Sequence, residues 1–193
     1  MGGVAVAAAD LDQDGDDDLL VCATESWGER GPGLRAFRND EGVMVEATSE
    51  FGLTTSSEYE VIAADLDGDG EPEVVQVSAG QIRISGREGA TFRVVADIGV
   101  SSVASIAAGD ANGDGRLHLF VARGGSPNGR DLLLLNGGDG TAFTSVGMPV
   151  GATGVADQVI TIDHDRNGLD DFVVLNGYFS SGPVQLFAFY PED

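Results

Sequence analysis

Four short segments set carboxylates at alternate positions around a glycine. The first holds Asp10, Asp12, Asp14, Gly15 and Asp18, and the second Asp65, Asp67, Asp69, Gly70 and Glu73. The fourth holds Asp163, Asp165, Asn167, Gly168 and Asp171. The third departs at its end: Asp110, Asn112, Asp114 and Gly115 are followed by His118 where an acid is expected. Ca²⁺ is a hard cation that takes about 6–8 oxygens at ~2.3–2.6 Å. Alternating carboxylates can wrap one side of such an ion, and glycine at the sixth position permits a sharp backbone bend. The seventh residue (Asp16, Glu71, Arg116, Leu169) is free to vary because its carbonyl would be the ligand, and the ninth closes the shell. Without an ion these carboxylates would repel one another at neutral pH. By loop the acids number 6, 5, 2 and 4, so 17 of the 32 in the chain are concentrated here.

Other chemistries fit less well. An EF-hand needs a twelfth-position Glu between two helices. The twelfth residues here are Val21, Gln76, Val121 and Val174, and the flanks read as strands. Solvent-exposed Asp-Gly turns would explain one such loop, but not four in a common register. Paired acids can act in general acid–base catalysis, yet these are better committed to metal. Of the two histidines, His164 occupies a variable loop position and is expected in solvent, while His118 replaces a ligand. No nucleophile–base pairing, G-x-S-x-G or phosphate-cradling loop is present, so the chain is not expected to be an enzyme.

The elements that position the loops repeat with them. The first loop aspartates, Asp10, Asp65, Asp110 and Asp163, are separated by 55, 45 and 53 residues. In each unit a strand of small residues enters the loop, as in Ala7-Ala8-Ala9, Ala63-Ala64 and Ala107-Ala108-Gly109. An apolar strand leaves it: Leu19-Leu20-Val21, Val74-Val75, Leu119-Phe120-Val121 and Phe172-Val173-Val174. A third strand follows, and a fourth closes the first three units; Asn128-Gly129 and Asp139-Gly140 are turn signals. The reading is all-β: a β-propeller segment of four antiparallel four-stranded blades, over about 4–53, 54–100, 101–152 and 153–193. Small residues suit innermost strands crowded around an axis. The last blade stops on its third strand, Val184 to Tyr190, without an outer one. The expectation is a piece of a larger propeller, or a half that pairs with another chain; a compact four-bladed ring is the alternative.

Composition bounds the partners. The formal charge is −22, with 32 Asp and Glu against 10 basic residues, which disfavours nucleic acid and anionic membrane surfaces. No apolar run approaches the ~18–20 residues that span a bilayer. Hydrophobic content of 42%, with 29 Gly and 6 Pro, fits short strands and tight turns. Cys22 lies within Leu19-Leu20-Val21-Cys22-Ala23, so it reads as a small core residue. Met1-Gly2-Gly3 leads straight into a strand pattern with no signal-peptide features.

These loops resemble the FG-GAP/VCBS repeat family, the Ca²⁺-loop blades of integrin α propellers and many bacterial surface proteins. The first unit also resembles the ASPIC/UnbV and cartilage-acidic-protein type, in Phe37-Arg38-Asn39-Asp40-Glu41-Gly42 and Glu50-Phe51-Gly52-Leu53; the third does so in Leu135-Asn136-Gly137-Gly138-Asp139-Gly140. The resemblance implies seven or so blades per ring, structural ions and a propeller face that binds a protein or glycan partner. It implies three to four Ca²⁺ ions here, His118 putting the third in doubt. The expected function is a non-catalytic, extracytoplasmic interaction or adhesion module, placed outside the cell, on its surface or in the periplasm. The alternative is a carbohydrate-binding propeller, with Trp27 and Tyr178 as stacking platforms.

Overall fold

The computed structural model describes residues 4–23, 33–54, 57–124, 130–148, 156–176 and 184–190. Trp27, Tyr178 and the Asn128-Gly129 turn lie outside them. Among the described residues the chain is all-β: fifteen strands form four antiparallel sheets, and these are the propeller blades. It divides into two compact units, Met1–Val100 and Ser101–Asp193, each holding two sheets.

In the first unit β1 (Val4–Ala9), β2 (Asp18–Ala23), β3 (Gly33–Asp40) and β4 (Val43–Glu46) pair in chain order. So do β5 (Glu60–Ala64), β6 (Glu73–Ser78), β7 (Gln81–Glu88) and β8 (Thr91–Gly99). The second unit has β9 (Val103–Gly109), β10 (His118–Arg123), β11 (Leu132–Asn136) and β12 (Phe143–Gly147). Its other sheet has three described strands, β13 (Ala156–Ile162), β14 (Asp171–Asn176) and β15 (Gln185–Phe187).

Burial follows position in the blade. The second strand of each sheet is the best covered, and β6 and β10 bury five residues in succession, so both faces are packed. This is why they read as continuous apolar runs rather than an alternation. The fourth strand is the solvent edge, with β4 exposed along its whole length. First strands meet each other, β1 lying against β5 and β9 against β13; the first three enter their loops on small residues, while β13 departs from that expectation and ends on Thr161-Ile162. Gly109 shows how close that approach is. A Cβ there would come within 2.9 Å of both Thr161 Cγ2 and Asp170 Cβ.

The two units fill their interiors differently. The first packs Leu11, Leu20, Cys22, Leu34, Ala36, Val61 and Val74, with an edge-to-face pair of Phe51 and Phe92 at 6.2 Å. The second is built on phenylalanines. Phe120 stacks on Phe172 at 4.7 Å and tilts against Phe187 at 5.1 Å, while Phe189 meets Phe172 edge-on at 6.0 Å. Cys22 is fully buried, and burial pushes its thiol up to about 12, in keeping with a core residue.

Candidate metal centre

Each acidic loop joins the first strand of a blade to the second, and its turn is wound by backbone amides donating to the loop's own carboxylates. Asp10 accepts from Asp14 N–H at 3.1 Å and from Gly15 N–H at 3.0 Å. Asp65 accepts from Gly68 at 2.8 Å and Gly70 at 3.0 Å. Asp110 accepts from Gly113 at 2.8 Å and Gly115 at 2.9 Å, and Asp163 from Asn167 at 3.2 Å and Gly168 at 3.1 Å. The sixth residue has positive φ in every loop: Gly15 at 97°, Gly70 at 90°, Gly115 at 81° and Gly168 at 87°. The fourth residue is left-handed too, and there Gln13 (66°) and Arg166 (62°) stand where the other loops use Gly68 and Gly113.

The fifth residues hold the end of the turn. Asp14 accepts from Asp16 N–H at 2.9 Å, Asp69 from Glu71 at 2.8 Å, Asp114 from Arg116 at 3.0 Å and Asn167 from Leu169 at 2.8 Å. The seventh residues thus sit where the turn closes. Leu169 is buried there, whereas Asp16 and Arg116 face solvent.

The ninth residue ties the loop to the sheet. Asp18 accepts from Leu11 N–H at 2.9 Å on one oxygen and from Asn39 N–H of β3 at 2.8 Å on the other. Glu73 accepts from Leu66 N–H at 2.7 Å, and Asp171 from His164 N–H at 3.0 Å and Phe189 N–H at 2.8 Å. All three are buried. They converge with loop residues above them: ligand atoms of Asp10, Asp12 and Asp18 lie within 4.8 Å of one another, as do those of Asp65, Asp67 and Glu73.

The first two clusters fit Ca²⁺ well. Every donor is a carboxylate oxygen, and no arginine forms an ion pair with the six clustered acids among the described residues. Burial, with Asp67 and Asp69 as like charges nearby, pushes the Glu73 carboxyl up to about 7. Burial likewise raises Asp18, with Asp12 and Asp14 adding to it, and raises Asp67. A carboxylate whose charge is disfavoured in this way is short of positive partners, and a divalent ion placed among these oxygens would supply one.

The second unit differs at both loops. In the third, the close group is Asp110, Asp114 and His118, with Asn112 donating from its amide to Asp114 at 3.2 Å. In the fourth it is His164, Asp165 and Asp171. Here the expectation that His164 is merely solvated needs correcting. Its Nδ1 contacts Asp171 Oδ2 directly, and this bond raises the imidazole above its ordinary value. Burial would raise Asp171, but the bonds from His164 and Phe189 outweigh it and hold the carboxyl low. The reason is geometric: the same turn that brings His164 N–H to Asp171 also brings its ring there.

Three positioning contacts had no clear signal in the loops themselves. Arg87 on β7 donates to the carbonyls of Leu11 and Asp12 at 2.8 and 3.0 Å, clasping the first loop from the neighbouring blade. Asp170 clasps the third loop, accepting from Asp110 N–H at 2.7 Å while its own N–H donates to Asp110 O at 2.9 Å. Asn39 and Asn136, each near the end of a third strand, donate from their amides to Asp17 O and Leu117 O at 3.2 and 3.1 Å. Their shared place near the end of the third strand was the visible clue.

Comparison with known proteins agrees with the fold. The biofilm matrix protein Bap1 of V. cholerae superposes with a TM-score of 0.52 at 22% identity, over 91% of this chain and 29% of that one. A structure of BBS1N in complex with ARL6DN, soaked with lead, superposes with a TM-score of 0.52 at 12% identity, over 98% of this chain and 57% of that one. The chain therefore spans less than two thirds of either protein, and at these identities the likeness is one of fold. No curated protein matches the chain. The sequence profile of the FG-GAP-like repeat matches residues 10–76 and 65–121, together more than half of the chain and three of its four acidic loops. The chain belongs to the FG-GAP-like repeat family.

Proposed function

We propose that the chain is a Ca²⁺-stabilised, non-catalytic interaction module of an extracytoplasmic protein. The observation that carries this reading is the pair of all-oxygen clusters in the first unit, Asp10/Asp12/Asp18 and Asp65/Asp67/Glu73. Their ninth residues are buried and have no basic partner among the described residues, as structural ion sites require. The fourth loop, with Asp163, Asp165, Asn167 and Asp171, would take a further ion once His164 gives up Asp171. Extracellular modules of this kind hold Ca²⁺ with dissociation constants near ~10⁻⁴–10⁻³ M. At tenfold excess of free ion over Kd, each site adds ~1.4 kcal/mol to folding, a sizeable share of the ~5–15 kcal/mol that stabilises a domain. The role is that of a scaffold: ions lock the blade loops, and the blades present a surface to a protein or glycan partner. An adhesive or matrix setting is the one we favour, since the similar Bap1 is described as a biofilm matrix protein.

Thermal unfolding with millimolar Ca²⁺, with Mg²⁺ and with excess EGTA tests this reading. A rise in Tm specific to Ca²⁺ is expected, because Mg²⁺ demands octahedral geometry and gives up its waters reluctantly. Equal Tm in all three would reject the ion sites, leaving an acidic repeat fold.

A further inference from the structure

Two buried side-chain polar atoms have no hydrogen-bond partner among the described residues, Gln76 Oε1 and His118 Nε2. The second points into an acidic loop. His118 is fully buried, and its Nε2 stands 3.9 Å from Asp114 Oδ1, beyond hydrogen-bonding distance. Ligand atoms of Asp110, Asp114 and His118 nevertheless lie within 4.8 Å of one another. A small group belongs between them.

The other ring nitrogen decides what that group is. Asn136 N–H donates to His118 Nδ1 at 3.2 Å, as Asn39 N–H donates to Asp18 Oδ1 at 2.8 Å in the first loop. The histidine thus keeps the tie to the third strand that the carboxylate would make. But a ring nitrogen that accepts from an amide carries no proton, so the ring proton is on Nε2. Where Asp18, Glu73 and Asp171 turn an oxygen toward the loop, His118 turns an N–H. A metal-bound histidine needs the reverse: a bare lone pair on the metal, with the other N–H donating elsewhere. Moving the proton to Nδ1 would set it against the Asn136 N–H, two donors facing one another.

We infer that the third loop holds a water molecule in the place of the ion. The water accepts from His118 Nε2–H and donates to the Asp110 and Asp114 carboxylates, which gives it the two to four polar partners a buried water requires. The loop keeps its shape by other means: Asp170 grips both N–H and C=O of Asp110, and Asn112 donates to Asp114. It also has only two acids to neutralise, against five or six in the first two loops. This rests on the reading that the remaining loops take Ca²⁺, and it makes the third loop the ion-free member of the set.

Two measurements on the full chain decide it. In a long-range ¹H–¹⁵N spectrum, His118 should show the Nε2–H tautomer, unmoved by saturating Ca²⁺ or by Zn²⁺. An Nδ1–H tautomer, or His118 resonances that shift with either ion, would overturn the inference. Counting bound Ca²⁺ by calorimetric titration, Asp114→Asn should leave the number unchanged, Asp65→Asn, which removes a clustered carboxylate at a position that is aspartate in every loop, should lower it by one, and His118→Asp should raise it by one. Loss of an ion in Asp114→Asn would also overturn it. If no loop binds Ca²⁺, the function proposed above fails, while the tautomer and its indifference to Zn²⁺ still judge the third loop. The spectrum uses the unmodified chain, so it does not depend on any variant folding.

Discussion

The two units of the chain carry the same loops and treat them differently. In the first, both loops close on a carboxylate with no ring beside it; in the second, both histidines of the chain stand in the loops, His118 as the ninth residue and His164 against it. Their cores differ in parallel, mostly aliphatic with one phenylalanine pair in the first, a cluster of four phenylalanines in the second. The contrast teaches that one loop template can be stabilised in two ways. Where oxygens alone converge, the function proposed above has an ion offset their repulsion. Where a ring N–H enters, the same proposal has the ion's place taken or contested, and expects apolar packing to contribute more of the stability.

The largest effect should come from that packing. Phe172→Ala removes a ring stacked on Phe120 and touching Phe189, at ~3–5 kcal/mol. Unfolding in urea should show the loss in the second unit with and without Ca²⁺. A strongly Ca²⁺-dependent loss would contradict the division of labour between units.

Next comes the ninth residue of the first loop. Asp18→Ala strips the partner from two amides, the buried Leu11 N–H and the part-buried Asn39 N–H; at ~1–3 kcal/mol for the buried donor and less for the other, the destabilisation is about 2–4 kcal/mol. It should also remove one step of the Ca²⁺-dependent rise in Tm. The same titration on His118→Ala should show the full Ca²⁺ response from a lower baseline.

The metal-free chain should lose stability as pH rises. Glu73 is pushed from 4.5 to about 7 in the folded chain, so between those values the folded form keeps a proton that the unfolded form releases. Its stabilising contribution is therefore present below about pH 4.5 and lost as pH rises through about 7. His164, raised above its usual 6.5 by Asp171, contributes in the same sense over a higher window. Tm of chain stripped of metal should fall across this range. Glu73→Gln should abolish the lower part of the slope, and Ca²⁺, standing in for the proton, should flatten it. An unchanged slope in Glu73→Gln would remove Glu73 as its source.

A smaller effect concerns Cys22, whose thiol is fully buried and shifted to about 12. It should resist thiol reagents at neutral pH in the folded chain, and reactivity should follow unfolding of the first unit, which EGTA should hasten. Smallest is Gln13→Gly. It relieves a left-handed residue at 66° at some cost in chain entropy, for a net gain of about 0.5 kcal/mol in the first unit.

Much of this molecule was determined by local sequence. The alternating acids, the sixth-position glycines and the strand on either side are set within about a dozen residues, and Asp10 or Asp65 needs only its own loop to bind the amides that wind it. The blades were legible because the pattern recurs four times, and the third-strand asparagines because they recur twice. What only the tertiary structure decided depends on residues far apart in the chain. Arg87 reaches the first loop from 75 and 76 positions away, and Asp170 reaches Asp110 from 60. Sequence placed His118 at a ligand position and left both outcomes open. The Asn136 amide, brought to Nδ1 by the pairing of β10 with β11, fixes which nitrogen holds the proton. A spacing can name the atoms that might bind an ion, but a tautomer is chosen by whichever group packs against the ring's far side.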